Sequence, residues 1–141
     1  MIEIVNRQRR CKIETKYWRA FGEEVLKSIG AKKPNVTIVF VGDNTIRELN
    51  HRFRGKDYAT DVLSFPSTAE PFEEENRSQL GEVVISVQRA TAQAHTNRLS
   101  FENEVKQLIL HGLLHLCGYD HETDNGEMNR FELHLRKRLG I

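Results

Sequence analysis

Apolar positions change period along this chain, and the changes alternate short strands with amphipathic helices. Ile2, Ile4 and Val5 suggest a first strand. From Glu14 the spacing lengthens: Trp18, Phe21, Val25 and Ile29 recur every three to four residues, the mark of one buried helix face, and Gly30 offers a C-terminal stop. After Pro34, the run Val36–Val41 is β-branched and apolar without helical period, which predicts a strand buried on both faces. Asp43 or Asn44 can cap a second helix whose inner side carries Ile46, Leu49 and Phe53, closed by Gly55. Val62–Phe65 predicts a third strand ended by Pro66, and residues 67–79, polar and acidic with Pro71, a loop.

Val83–Val87 predicts a fourth strand, and three helical stretches follow it. The first covers about residues 88–97. The second starts after the N-cap Ser100, with Phe101, Val105, Leu108 and Ile109 inward, and should end near Cys117. The last covers about residues 125–139, with Met128, Phe131 and Leu135 inward. The order β-α-β-α-β-β-α-α-α implies an α/β (α+β) fold: a small four-stranded mixed sheet packed with about five helices. Helical crossovers favour parallel pairing of the first three strands, and the helix-free link to the fourth allows it to run antiparallel.

With 141 residues, no internal repeat and no linker, the chain reads as a single domain, 1–141, that buries roughly two-thirds of its unfolded surface. No apolar run approaches the length of a membrane span, and the first ten residues hold no signal-like stretch, so a cytoplasmic protein is expected. Cys11 and Cys117 form no spaced pair. A net charge of +1 says nothing about nucleic acid, but basic residues cluster at Arg7–Lys12, at Arg52, Arg54 and Lys56, and at Arg136–Arg138. For any one cluster, ordinary solvated surface charge remains an adequate explanation.

The chemistry concentrates in residues 111–121, His-Gly-Leu-Leu-His-Leu-Cys-Gly-Tyr-Asp-His, which hold three of the six histidines. On a helix, His111 and His115 share one face and can reach a single ion. Gly118 can take the left-handed turn that would bring His121 to the same ion. Three imidazoles leave one tetrahedral position open, as in catalytic zinc sites, where the ion lowers the pKa of a bound water to about 7. One Zn2+ is therefore expected at the end of a helix, although the same donors suit nickel or copper. His51, His95 and His134 lack such company, and Cys117 lies off the metal face.

Metalloproteases with this histidine spacing carry glutamate directly after the first ligand, as the water-activating base. Here that position is Gly112, and the loss of such a base is worth about 10²–10⁴-fold. Asp120 is the nearest carboxylate in sequence; orienting an imidazole, moving a proton and simply holding a turn are all open to it.

Residues 111–121, together with Thr60-Asp61-Val62-Leu63-Ser64-Phe65-Pro66 and Arg54-Gly55-Lys56-Asp57, resemble the YbeY family of bacterial endoribonucleases. Leu80–Ser86 and Asp43–Arg54 look like family segments too, so the resemblance runs from about residue 34 to 140. It implies a mixed α/β domain with one zinc held by His111, His115 and His121, and a functional arginine at Arg54. It also implies RNA, chiefly rRNA, and ribosomes or ribosomal proteins as partners, in 16S 3′-end processing and ribosome quality control. An arginine near a metal suits phosphate, because its planar fork matches phosphate oxygens and stays charged. Ala59 stands where many family members have proline.

The leading expectation is a zinc-dependent, single-strand-specific endoribonuclease, with water or a ribose 2′-hydroxyl as nucleophile. A non-catalytic, metal-stabilised factor binding ribosomes or rRNA is the alternative. A metallopeptidase, supported by the spacing and opposed by Gly112, is the third.

Overall fold

The computed structural model describes residues 1–67, 78–120 and 122–141. Within them the chain forms β1 (Ile2–Asn6), α1 (Thr15–Ile29), β2 (Asn35–Val41), α2 (Asp43–Arg54), β3 (Val62–Pro66), β4 (Gln79–Ser86), α3 (Val87–Asn97), α4 (Phe101–Leu116) and α5 (Glu127–Leu139). The kinds of element and their order follow the hydrophobic periods.

The strand pairing corrects the sequence expectation. The sheet order is β1-β2-β4-β3, so β3 does not join β2; β4 inserts between them. The parallel set is β1, β2 and β4, and β3 runs antiparallel to β4, pairing Leu63 with Val84 and Ser64 with Val83. Burial decides the arrangement. Gly81 and the run Val83 to Ser86 are buried, which suits β4 to the sheet interior. Pro66 cannot donate to a ladder, which suits β3 to an edge.

Alternation along β2 and β4 divides the core. Val36, Ile38, Phe40, Val83 and Ile85 face a large cluster built with Trp18, Phe21 and Val25 of α1 and with Ile109, Leu110, Leu113 and Leu114 of α4. Val41 and Val84 face a smaller cluster with Leu63 and with Ile46 of α2. The helix α5 packs behind α4 through Met128 and Leu135. Phe53, expected on the inner side of α2, is instead 59% exposed. No helix among the described residues is long and apolar enough to cross a membrane.

Boundaries moved where local hydrogen bonding overrides periodicity. Gly42, not Asp43 or Asn44, is the N-cap of α2, and Asp43 Oδ1 accepts from the buried Ser86 hydroxyl at 2.6 Å. Ser86 in turn caps α3, its Oγ accepting from Arg89 N at 3.2 Å, so Val87 begins a helix rather than ending a strand. Ser100 caps α4 as expected, accepting from Asn103 N at 3.0 Å. The start of α5 is displaced to Glu127 because Asp124 accepts from the Gly126 and Met128 amides at 2.8 and 2.9 Å. Of the expected 67–79 loop, residues 68–77 lie outside the described residues, and Gln79 already belongs to β4.

Candidate active site

The last turns of α4 are pressed against the sheet, and Gly112 makes this approach possible. A Cβ at residue 112 would stand 2.8 Å from Val83 Cγ1 and 3.3 Å from Ser64 Oγ. The Ser64 hydroxyl donates to the Gly112 carbonyl at 3.2 Å, tying α4 to β3. The position where a protease carries its base thus faces packed sheet, with no room for a glutamate unless the sheet moves.

On the same helix, the His111 and His115 rings stand 4.6 Å apart between centroids, with their Nε2 atoms 3.1 Å apart. Both rings are partly exposed. His111 Nδ1 lies 3.0 Å from Glu132 Oε1. An ionised carboxylate only accepts, so Nδ1 carries a proton, and Nε2 is the nitrogen that faces His115. Two nitrogens bound at about 2.0–2.1 Å to one tetrahedral ion stand about 3.3–3.4 Å apart. The pair therefore fits a shared metal with little adjustment, and Glu132 behind His111 is the kind of carboxylate that orients a liganding imidazole. Among the described residues no group of three or more potential ligands forms. His121, the third expected ligand, lies outside them, while Gly118 has the positive φ expected for the turn, +96°.

Glu132 is only 7% exposed. Burial pushes its carboxyl up, but the hydrogen bond from His111 and the charges of His111, Arg136 and His115 prevail and hold it below the ordinary glutamate range. Arg136 Nη2 approaches the same Oε1 at 3.7 Å. Sequence reasoning missed Glu132, which lies on another helix. Its signal was there: on α5 it falls four residues after Met128 and three before Leu135, on the buried stripe, where a carboxylate requires a partner.

Arg54 ends α2 across the cavity. Its Nη2 donates to the Ser64 carbonyl at 2.7 Å, and its guanidinium carbon lies 5.9 Å above the Phe65 ring. The loop after it is fastened twice: Asn50, 2% exposed, donates to the Tyr58 carbonyl at 3.0 Å, and Arg47 pairs with Asp57 at 2.9 Å. Arg54, His111, His115 and Asp120 all line one cavity of about 610 Å3, together with Lys56, Tyr58 and Ser64. Asp120 is exposed, and its Oδ1 accepts from Glu122 N at 2.9 Å, the bond of a turn aspartate. His51, His95 and His134 are exposed and do not line this cavity. Burial pushes the Cys117 thiol up, as befits a packing residue.

Comparison with known proteins identifies the family of the chain. Residues 3–140 match the family described as endoribonuclease YbeY. A protein of that name from Alkaliphilus metalliredigens is 40% identical over 146 aligned positions, covering 98% of this chain and 94% of the relative. Another, from Nautilia profundicola, is 47% identical over 107 residues, covering 76% of this chain and 73% of the relative. The solution structure of a Thermotoga maritima protein superposes with a TM-score of 0.64 at 28% identity, covering 99% of this chain and 90% of that one.

Proposed function

This chain belongs to the endoribonuclease YbeY family, and on that premise we propose that it is a zinc-dependent endoribonuclease specific for single-stranded RNA. Its substrate in this reading is ribosomal RNA at the 16S 3′ end, and its setting the processing and quality control of ribosomes. The observation that carries the proposal is the convergence of the His111 and His115 Nε2 atoms, 3.1 Å apart, in a cavity that Arg54 also lines.

His111, His115 and His121 are the residues that would hold the metal. A zinc ion supplies Lewis-acid polarisation of a phosphoryl oxygen and a nucleophile at neutral pH. Glu132 keeps the His111 proton on Nδ1, so that its Nε2 remains a donor of electrons. Arg54, anchored on Ser64 through one N–H, has further donors for two phosphate oxygens, and its charge stabilises the charge that builds during in-line attack. Asp120, in the same cavity, is the candidate proton acceptor; its bond from Glu122 N holds the carboxylate in place. Lys56 adds positive charge at the cavity wall.

The test is digestion of a labelled single-stranded RNA and its duplex by zinc-loaded, untagged protein, beside His115→Ala and a peptide library. Cleavage of the single strand alone, lost in His115→Ala, is the expected result. Intact RNA with full zinc occupancy would favour a non-catalytic, metal-stabilised rRNA-binding factor. Cleaved peptides would favour a peptidase.

A further inference from the structure

We infer that Phe53 and Tyr58 form a base-stacking platform that seats the unpaired nucleotides flanking the scissile bond. The inference rests on the proposed RNA substrate and names the residues that hold it. Phe53 is 59% exposed and Tyr58 is 53% exposed, two of the five large hydrophobic side chains on the described surface. Both flank Arg54 in sequence, and Tyr58 lines the same cavity as His111 and His115.

Their surroundings suit one ligand chemistry. Arg52 lies 5.6 Å over the Phe53 ring, and Phe53 meets Phe65 edge-on, with centroids 5.5 Å apart and planes at 69°. Arg54 covers Phe65 from 5.9 Å. Two arginines therefore bracket an edge-on pair of aromatic rings from the end of α2 to the edge strand β3. Aromatic faces accept bases of any identity, and interleaved cations track the phosphates between them, as in proteins that bind single strands. Bases paired inside a duplex are stacked on their neighbours and leave no open face for such a ring. Protein-binding hot spots, in contrast, are poor in lysine, whereas Lys56 stands between the two aromatic residues in sequence.

The platform is also rigidly mounted. The buried Asn50 holds the Tyr58 carbonyl, the Arg47–Asp57 pair fixes the intervening loop, and Phe53 belongs to α2 itself. Little ordering cost then falls on the protein when RNA binds.

The experiment uses a short single-stranded RNA carrying 2-aminopurine, whose fluorescence is quenched by stacking. Binding is read under a chelator and cleavage with zinc-loaded protein. Phe53→Ala and Tyr58→Ala are each expected to weaken binding about 5- to 150-fold, with a matching rise in KM, kcat within about threefold, and the salt dependence of binding unchanged. Phe53→Leu, which keeps apolar packing on Phe65 without a π face, should bind like the alanine variant, and Phe53→Trp like wild type. Tyr58→Ala should leave the melting temperature unaltered, while Phe53→Ala should lower it by only the few degrees that loss of the edge contact with Phe65 brings. Binding within twofold of wild type in both alanine variants, with wild type binding and cleaving normally, overturns the platform alone; that result would leave the face to a protein partner. Wild type that neither binds nor cleaves RNA overturns the RNA-cleavage proposal and the platform together.

Discussion

Replacing Glu132 by glutamine removes one charge and almost no volume, and its consequences can be worked from the contacts. Glutamine still presents an oxygen to His111 Nδ1 at the observed 3.0 Å, so the ring's tautomer survives. The bond changes from charge-assisted to neutral, a loss of about 1–1.5 kcal/mol. Arg136, 3.7 Å away, loses a counter-ion. Against these losses, a carboxylate only 7% exposed no longer needs desolvating, which returns an amount of similar size. Folding stability should therefore change by no more than about 1–2 kcal/mol. Metal affinity has no such compensation, because the less basic imidazole loses its negative partner. Loss of a second-layer carboxylate of this kind costs about 10–100-fold, or about 1.4–2.7 kcal/mol. The assay is a zinc competition titration against a chromophoric chelator. Glu104→Gln serves as control, since Glu104 is also buried, at 4% exposure, but bonds to Asn97. Zinc affinity within twofold of wild type in Glu132→Gln, or an equal loss in Glu104→Gln, would refute the reasoning.

Other outcomes follow from the same contacts. Arg54→Ala should lower kcat by about 10²–10³-fold, and Arg54→Lys should recover only part of it, because an ammonium keeps the charge without the fork; single-turnover RNA cleavage reads both. Gly112→Ala should destabilise the protein by up to about 2 kcal/mol, the overpacking against Val83 exceeding the gain in helix propensity. The cost should shrink in a Val83→Ala background, which a double-mutant cycle from urea melts would show. Ser86→Ala removes the cap of α3 and the donor to Asp43 at a fully buried position, for an expected loss of about 1–3 kcal/mol with zinc affinity unchanged.

The helices were legible in the sequence because the longer ones carry their own period and a local start or stop signal. Trp18 to Ile29 followed by Gly30, and Ser100 before Phe101, are local facts that tertiary packing does not overturn. The strand order was not legible, because local sequence does not say that β4 fits between β2 and β3; the burial of β4 on both faces and the proline of β3 explain it afterwards. Phe53 was misread for the opposite reason. It keeps helical spacing with Ile46 and Leu49, yet α2 ends at Arg54, and the ring meets Phe65 of the edge strand β3 edge-on and is left 59% exposed. At the site, the spacing of His111 and His115 carried the inference, since two rings four residues apart on a helix must share a face. Glu132 lay beyond it because its approach to His111 depends on how α5 packs on α4, across 21 residues of sequence.

The most direct test of the central claim is RNA cleavage measured against zinc content on one untagged preparation, stripped with chelator and then titrated with zinc. Cleavage of single-stranded RNA should vanish on stripping and return in proportion to zinc, saturating at about one ion per chain. His115→Ala should not recover at any zinc level. Full cleavage by protein retaining under about a tenth of an ion per chain would contradict the account, because chemistry assigned to a metal cannot outlast its removal.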